Sequence, residues 1–192
     1  MEKRDDLRII KTRRAIEQAF FRLLQQMDFE TITVRKLCDE AMVGNATFYY
    51  HYQDKCDLAE QVGRRCIQEI RAGIHAHRDD VKRRAAGIRA VDHMTELTGE
   101  RNRQRALLEK VHLEHYDFAS ELNRLFLEEV KAVRPQGDLS DEVYQLRCRI
   151  CAGMMKDYLN VVLERDAFLS FEDYMHEAAA LLEEYRSVFS GG

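Results

Sequence analysis

Residues 31–58 read TITVRKLCDEAMVGNATFYYHYQDKCDL and hold two short helical patterns separated by a turn. In the first pattern the apolar residues recur at three- and four-residue steps: Val34, Leu37, Cys38 and Ala41. This spacing places them on one face of a helix. Thr33, just before the pattern, carries a side-chain oxygen of the kind that caps a helix. We therefore predict a short helix from about Val34 to Glu40.

The second pattern begins after Val43-Gly44-Asn45, residues suited to a tight turn. Phe48 and Tyr52 lie four apart, so one helical face carries both toward the core. The side chains that this helix points away from the core are Asn45, Thr47, Tyr49, Tyr50 and His51. Two short helices joined by a tight turn, with polar and aromatic groups outward on the second, form the layout that places a helix in the major groove of DNA.

This segment resembles the helix-turn-helix of TetR-family transcriptional regulators. The residues that match the family's N-terminal motif are Thr33, Ala41, Val43, Thr47-Phe48-Tyr49, His51-Tyr52, Lys55 and Leu58. The resemblance covers residues 8–58, and beyond them it is one of length and helical character. Two residues depart from the pattern: Met42 stands where many members have Gly, and Gly44 where many have Ser as the cap of the recognition helix. Gly is itself an acceptable N-cap.

The composition favours helices throughout the chain. A single proline, Pro135, and nine glycines leave few residues that break a helix. We predict an all-α fold, in which an N-terminal three-helix bundle contains the helix-turn-helix and a helical domain follows. The resemblance implies that this second domain binds a ligand and dimerises. The predicted domains are residues 1–54, for DNA binding, and residues 55–192, for regulation and dimerisation.

Periodicity and capping residues mark the other helices. The predicted bounds are about Arg8 to Met27, Lys55 to His77 after a cap at Asp54, Arg103 to His115, Tyr116 or Asp117 to Val133, Asp141 to Arg165 after a cap at Ser140, and Phe171 to Phe189. A further helical pattern spans residues 88–97, and residues 134–138 form a loop. The last two helices each carry a wide apolar stripe. The resemblance implies that they pack against the same pair of a second subunit.

Eight residues of the motif are candidates for DNA contacts. Thr33 can donate to a phosphate, and Tyr49 and Lys55 stand where the family contacts the DNA backbone, which positions a protein without reading sequence. The candidates for base edges are Arg35, Asn45, Thr47, Tyr50 and His51. Arg suits guanine, Asn suits adenine, and the methyl group of Thr suits thymine. Tyr50 and His51 could instead be ordinary surface residues of an amphipathic helix.

The charge balance argues against DNA binding. The net charge is −4, and residues 1–60 hold ten Lys and Arg against eleven Asp and Glu, whereas a DNA-binding domain is usually basic. The basic residues are clustered, however, at the N-terminus and in the motif: Arg4, Arg8, Lys11, Arg13, Arg14, Arg35, Lys36 and Lys55. A solvated helix face is the alternative interpretation of the N-terminal cluster. We expect a modest nonspecific affinity for DNA.

The resemblance also implies an effector pocket in the second domain. The candidate lining residues are Val111, His112, Phe118, Phe126, Tyr144, Met154 and Tyr158. Their apolar and aromatic side chains suit a small-molecule site between helices. The same residues at helical spacing are also the pattern of an ordinary core, so both interpretations stay open.

Two smaller motifs are compatible with redox or metal chemistry. Cys148 and Cys151 form a Cys-x-x-Cys, but they lie within a predicted helix without a second pair, so core packing is the favoured interpretation. His112 and His115 are three apart on a predicted helix, where Glu109 could complete a metal site. A half-exposed histidine pair is the commoner explanation. We assign no metal and no cofactor.

The favoured function is a ligand-responsive transcriptional repressor. It would bind a palindromic operator in double-stranded DNA as a homodimer and be released by a small-molecule effector. The alternatives are a regulator controlled by a partner protein and a helical interaction module that does not bind DNA. An enzyme is not expected, because the sequence has no dinucleotide or phosphate-binding Gly-rich loop, no Gly-x-Ser-x-Gly and no His-Glu-x-x-His.

The sequence also bears on the compartment. Five cysteines, an odd number, indicate reduced thiols and hence the cytoplasm. The N-terminus is charged rather than secretory, and no apolar run approaches the roughly 20 residues that cross a bilayer. We expect a cytoplasmic protein without a membrane partner, and the resemblance implies that it is bacterial.

Overall fold

The computed structural model describes residues 2–76, 99–132, 140–165 and 171–189. The described residues are predominantly helical, which confirms the predicted all-α class. The chain divides into two compact units, Met1–Ile67 with Arg103–Glu121, and Gln68–Asn102 with Leu122–Gly192. The domain boundary between residues 54 and 55 stays a prediction. No helix in the described ranges is long and apolar enough to cross a membrane.

The N-terminal elements follow the predicted order. They are α1 (Glu2–Gln26), a 3₁₀ turn (Phe29–Thr31), α2 (Val34–Ala41), α3 (Asn45–His51) and α4 (Lys55–Ala76). The helices α2 and α3, with the turn between them, confirm the predicted helix-turn-helix. The helix α1 begins before Arg8 because the preceding residues, although they lack an apolar pattern, include the good helix formers Glu, Lys and Arg.

Side-chain caps fix the starts of α2 and α4. Thr33 Oγ1 accepts a hydrogen bond from the backbone N–H of Lys36 at 3.2 Å. Asp54 Oδ1 accepts from the backbone N–H groups two and three residues further on, at 2.7 Å and 2.8 Å. These N–H groups have no acceptor within their own helix, so each cap replaces a missing bond. Both caps were predicted from the sequence.

The core of the first unit is apolar. Its fully buried side chains include Ile16, Phe20, Ile32, Leu37, Phe48 and Leu58. Each such side chain contributes about 1.5–3 kcal/mol relative to an exposed one. The buried face of α1 begins at Ile16, whereas Ile9, seven residues earlier, is 37% exposed. Periodicity identifies the face of a helix but not how much of its length is covered.

The segment after the described part of α4 differs from the prediction. The helix α5 spans Gly99–Leu108, and an antiparallel hairpin follows it, with β1 (His112–Leu113) paired to β2 (Tyr116–Asp117). The predicted helix from Arg103 to His115 is therefore wrong beyond Leu108. Strands of two residues are too short to show the alternation that distinguishes a strand from a helix.

Three helices complete the described chain: α6 (Phe118–Ala132), α7 (Asp141–Arg165) and α8 (Phe171–Phe189). The bounds of α7 and α8 are those predicted, and Ser140 Oγ accepts from the backbone N–H of Val143 at 3.4 Å as the predicted cap. Tyr158 of α7 is fully buried and packs against Met155 and Tyr174. The predicted pattern of residues 88–97 and the predicted loop of residues 134–138 lie outside the described residues.

Candidate nucleic-acid interface

The helix α3 turns one face into the core and leaves the rest in solvent. Phe48 is fully buried, whereas Tyr49 and Tyr50 are 57% and 72% exposed. Asn45 and Thr47 are exposed as well. Core packing does not account for two exposed tyrosines on a helix of seven residues. The outer face of α3 therefore presents amide, hydroxyl and phenol groups to solvent.

His51 is the one of the five predicted outward residues that is half-buried. Its ring meets the Tyr50 ring edge-on, with 5.1 Å between the centroids. Burial lowers the pKa of His51 below its ordinary value, and the positive charge of Arg13 lowers it further, while Glu17 acts in the opposite direction. The imidazole is therefore neutral at pH 7 and can donate from one nitrogen and accept at the other.

Met42 stands in the turn between α2 and α3, at a position whose backbone conformation favours Gly. This residue ends α2 in the left-handed conformation, with φ 56° and ψ 42°, and its side chain is 93% exposed. Gly adopts this conformation without steric cost, which is why it is favoured there. Gly44, with φ −76°, is the N-cap of α3 and has no side chain to accept a capping bond. Both departures from the family pattern leave the turn geometry in place.

Thr33 and Arg35 flank the start of α2. The Thr33 oxygen accepts the capping bond, and its own hydroxyl proton can still be donated. The Arg35 side chain is 89% exposed, and its Nε lies 4.0 Å from Asp39 Oδ2. Exposed ion pairs of this kind are weak, so Arg35 can exchange its carboxylate for a phosphate or a base at little cost.

Lys55 makes hydrogen bonds to the backbone that the sequence does not indicate. Its Nζ donates to the carbonyl oxygens of Phe29 and Glu30, at 2.8 Å and 2.9 Å, and lies 4.6 Å from the centroid of the Phe29 ring. An ammonium group has three N–H donors. Two of them hold the 3₁₀ turn against the start of α4. A role for Lys55 in DNA binding stays a prediction.

A polar network joins the end of α3 to α1, and the sequence patterns do not reveal it. Tyr52 OH donates to Glu17 Oε1 at 2.9 Å, and Arg13 Nε donates to both of these oxygens at 3.2 Å. Periodicity placed Tyr52 in the core, where it is 1% exposed, and assigned Arg13 to a basic cluster. Arg13 and Glu17 have the i, i+4 spacing of a helix ion pair. Nothing in that spacing identifies a third partner 35 residues further on.

The predicted pocket residues occur in both units. In the first unit Val111 and Phe118 are buried and His112 is exposed. In the second unit, side chains that are buried or half-buried come from Phe126, Tyr144, Met154 and Tyr158. A shallow surface depression of about 350 Å³ lies on α7 against other residues: Asp141, Glu142, Gln145, Leu146 and Arg149. The seven-residue effector pocket stays a prediction.

The redox and metal motifs of the sequence agree only in part with their predicted surroundings. Cys148 is buried, as core packing predicts, but Cys151 is exposed, and both are free thiols. His112 and His115 lie on the hairpin rather than on a helix, and His112 Nδ1 is 3.2 Å from Asp117 Oδ1. Within the described ranges, no three His, Cys, Asp or Glu side chains are grouped so that they could hold a metal ion.

Comparisons with known proteins find matches to the N-terminal part of the chain. The family model for bacterial regulatory proteins of the tetR family matches residues 16–62. An uncharacterized HTH-type transcriptional regulator, YxbF of Bacillus subtilis (strain 168), is 34% identical over 70 residues. These residues make up 36% of this chain and 18% of the length of that relative.

A solved structure resembles the chain over a greater length. The dihydroxyacetone kinase operon activator DhaS superposes with a TM-score of 0.56 and 15% identity, over 90% of this chain and 95% of that one. At this identity the likeness concerns the fold. The family match spans α2, the turn and α3, the elements whose geometry is described above. Residues 16–62 of this chain are thus similar to the N-terminal region of bacterial regulatory proteins of the tetR family.

Proposed function

We propose that this protein is a transcriptional repressor that binds a palindromic operator as a homodimer and places α3 in the major groove. The observation that carries the proposal is the outer face of α3. Tyr49 and Tyr50 are exposed there beside Asn45 and Thr47, while Phe48 anchors the opposite face in the core. A helix that offers polar groups outward from a rigid support is the element that reads base edges.

The candidate contacts divide into two kinds. Thr33, Tyr49 and the remaining donor of Lys55 would bind phosphates, which fixes the register of the protein on the duplex. The residues proposed to contact base edges are Arg35, Asn45, Thr47, Tyr50 and His51. Each good bidentate contact of this kind discriminates against a wrong base by about 1–3 kcal/mol. Operator binding would take place in the cytoplasm, where bacterial DNA is located.

The homodimer is proposed from α7 and α8. Large apolar side chains on these helices are exposed in the single chain: Val143, Leu146, Ile150, Leu181 and Leu182. Leu182, at 68%, is the most exposed of them. Several exposed apolar residues on neighbouring elements of the sequence are typical of a surface that a partner covers. A second copy of the chain is the proposed partner, since a palindrome presents two half-sites related by a two-fold axis.

Release by a small-molecule effector completes the proposal. The residues of the predicted pocket that belong to the second unit would line the site: Phe126, Tyr144, Met154 and Tyr158. An effector changes DNA affinity only if it binds the DNA-free conformation better than the DNA-bound one. A regulator controlled by a partner protein is the alternative, in which the exposed apolar face of α7 and α8 receives that partner instead.

DNA binding is tested by selecting binding sites from random duplexes and measuring affinity across a salt series. Wild type is expected to enrich a palindrome and to bind it less tightly as salt rises. Thr47→Ala is expected to lose about tenfold in affinity for the selected site, in the range of a lost base contact. Gln68→Ala, an exposed residue of α4, is the matched control. A wild-type protein that enriches no sequence would leave the interaction module as the better interpretation.

The dimer is tested by sedimentation of a Leu181→Glu, Leu182→Glu variant. We expect it to sediment as a monomer and to lose tight operator binding. Leu7→Glu is the matched control, because Leu7 is also an exposed leucine, at 56%, but lies on α1. If the variant with two changes remains a dimer, α8 is not the interface, and its apolar residues are free for a partner protein.

A further inference from the structure

We propose that Glu17 of α1 is a positioning residue, which acts on DNA through Tyr52 by fixing the orientation of α3. Three side chains form hydrogen bonds or ion pairs with the Glu17 carboxylate. Tyr52 OH donates to Oε1 at 2.9 Å, Arg13 Nε donates to the same oxygen at 3.2 Å, and Arg65 lies 2.6 Å from Oε2. The inference rests on the proposed function, since positioning has a purpose only if α3 reads DNA.

Tyr52 is the point where the network meets the recognition helix. It is the C-cap of α3, and its backbone N–H donates to the carbonyl of Phe48 at 2.9 Å. Its side chain is 1% exposed, so neither its ring nor its hydroxyl can turn into water. Burial, followed by the charge of Glu17, raises the pKa of the Tyr52 hydroxyl. The hydroxyl therefore keeps its proton and remains a donor to Glu17.

Both oxygens of the Glu17 carboxylate are paired, which makes the network a defined structure. The Glu17 side chain is only 15% exposed, and Arg13 and Arg65 approach its two oxygens from α1 and α4. A carboxylate at this depth is costly unless its oxygens are paired. A fully paired network has one arrangement, whereas a partly paired one can relax in several. The position of Tyr52 follows from that single arrangement.

A second branch holds the residue after Tyr52. Arg13 Nη2 donates to Gln61 Oε1 at 2.9 Å, and Gln61 Nε2 donates to Asp57 Oδ1 at 2.9 Å. The other oxygen of Asp57 accepts from the backbone N–H of Gln53 at 2.8 Å. The chain that leaves α3 is thus tied to α1 and α4 at two successive residues.

The network is needed because α3 is short. Phe48 is its buried residue, and the helix has seven residues in all. Apolar packing has no preferred direction about a single anchor, whereas hydrogen bonds do. Without the network α3 could tilt about Phe48 while the protein stays folded. A tilt displaces the base contacts, which must be aligned, more than the attraction to phosphates, which acts at a distance.

The test compares Tyr52→Phe and Glu17→Gln with wild type and with Glu40→Gln. Glu40 pairs with Arg22 and joins α1 to α2, so its variant removes an interhelical ion pair that does not touch α3. Two quantities are measured on each full-length protein, well below its melting temperature. They are the ratio of affinities for the selected operator and for random duplex, and the hydrogen exchange of residues 45–52.

Tyr52→Phe and Glu17→Gln are each expected to lower the affinity ratio about tenfold, the size of one charge-assisted hydrogen bond. Nonspecific affinity should stay within about twofold, and exchange should quicken in α3 but not in α1. Glu17→Ala should cost less in the Tyr52→Phe background than in wild type, because the two residues act as one unit. Glu40→Gln should leave the ratio unchanged.

Two results would overturn the inference, and they are distinct. If wild type selects an operator but Tyr52→Phe and Glu17→Gln keep the ratio while only the melting temperature falls, the network serves the fold alone. If wild type selects no sequence, the proposed function fails and the inference fails with it. In that case faster exchange in α3 would show only that the network restrains the helix.

Discussion

Gly63 of α4 lies so close to Tyr116 of β2 that a Cβ atom on Gly63 would be 2.5 Å from the phenol oxygen and 2.9 Å from Cε1. Tyr116 is 6% exposed, and the Arg64 guanidinium lies 5.2 Å from the centroid of its ring. The ring therefore has little room to withdraw. A side chain at position 63 therefore fits only if the Tyr116 ring shifts, so the close approach of the hairpin to α4 favours glycine there.

The first prediction follows from this contact. We expect Gly63→Ala to lower the free energy of unfolding by about 1–2 kcal/mol, because the clash outweighs the roughly 1 kcal/mol that Ala gains over Gly in a helix. Urea denaturation measures the change. Gly73→Ala in the same helix is the control, since nothing lies within 4 Å of its added Cβ, and it should stabilise by up to about 1 kcal/mol. Equal effects of the two changes would show that Tyr116 moves freely.

The second prediction concerns the left-handed residue in the turn. We expect Met42→Gly to raise the free energy of unfolding by about 1 kcal/mol, because a residue with a Cβ pays a steric cost at φ 56°. The Met42 side chain is 93% exposed, so its removal loses no packing. Met42→Ala keeps the Cβ and should give no gain in the same thermal melts. A gain as large from Ala as from Gly would mean that the side chain, not the backbone, is responsible.

The third prediction separates the structural role of Lys55 from DNA binding. We expect Lys55→Met to lower the free energy of unfolding by about 1–3 kcal/mol, because the carbonyls of Phe29 and Glu30 lose a charged donor. Lys36→Met is the control. Lys36 Nζ donates at the surface to one carbonyl, that of Thr31, and its loss should cost at most about 0.5 kcal/mol.

A Lys55→Met protein as stable as wild type would contradict this prediction and leave the ammonium free for phosphate. If stability falls as expected, operator affinity must be compared at a temperature where both proteins are fully folded. Any loss that remains then belongs to the third donor of Lys55.

The fourth prediction is a pH dependence that arises from His51. Its pKa lies below the ordinary 6.5 in the folded protein, chiefly through burial and secondarily through Arg13, with Glu17 opposing. Between the pKa of His51 in the unfolded chain and its lower pKa in the folded protein, the unfolded chain binds more protons than the folded one. Stability therefore falls as the pH drops through that range. Above about pH 6.5 the contribution of His51 is constant.

Thermal melts from about pH 8 to about pH 5 on wild type and His51→Gln check this. Subtracting the stability of the variant from that of wild type at each pH removes the contribution of the other histidines. Wild type should lose more stability than the variant on acidification. An NMR titration that finds the His51 pKa at or above 6.5 would contradict the prediction.

Short-range interactions account for what the sequence predicts well. Thr33, Asp54 and Ser140 each cap a helix by bonding backbone groups within three residues. The residues that form such a cap are adjacent in the chain, so the pattern alone identifies them. The same reasoning separated Phe48, which is buried, from Tyr50, which is exposed, since position around a helix follows from spacing.

The hairpin shows where local reasoning fails. His112 and His115 have a spacing that fits a helix, and the strands on either side have two residues each. Which structure forms is decided by packing, since Tyr116 is buried against Gly63, more than fifty positions earlier. The resemblance to a family, based on residues 8–58, does not extend to this segment.

The all-α class, the two helices and turn of the helix-turn-helix, and the bounds of α7 and α8 follow from the amino-acid sequence, because each depends on periodicity and on caps between near neighbours. The contacts of Lys55 with the 3₁₀ turn, and those of Glu17 with Arg13, Arg65 and Tyr52, depend instead on how the helices pack together. Apart from Glu17 with Arg13, these contacts link residues 25 to 48 positions apart. Such partners are chosen by how the helices pack, and no local pattern specifies that packing.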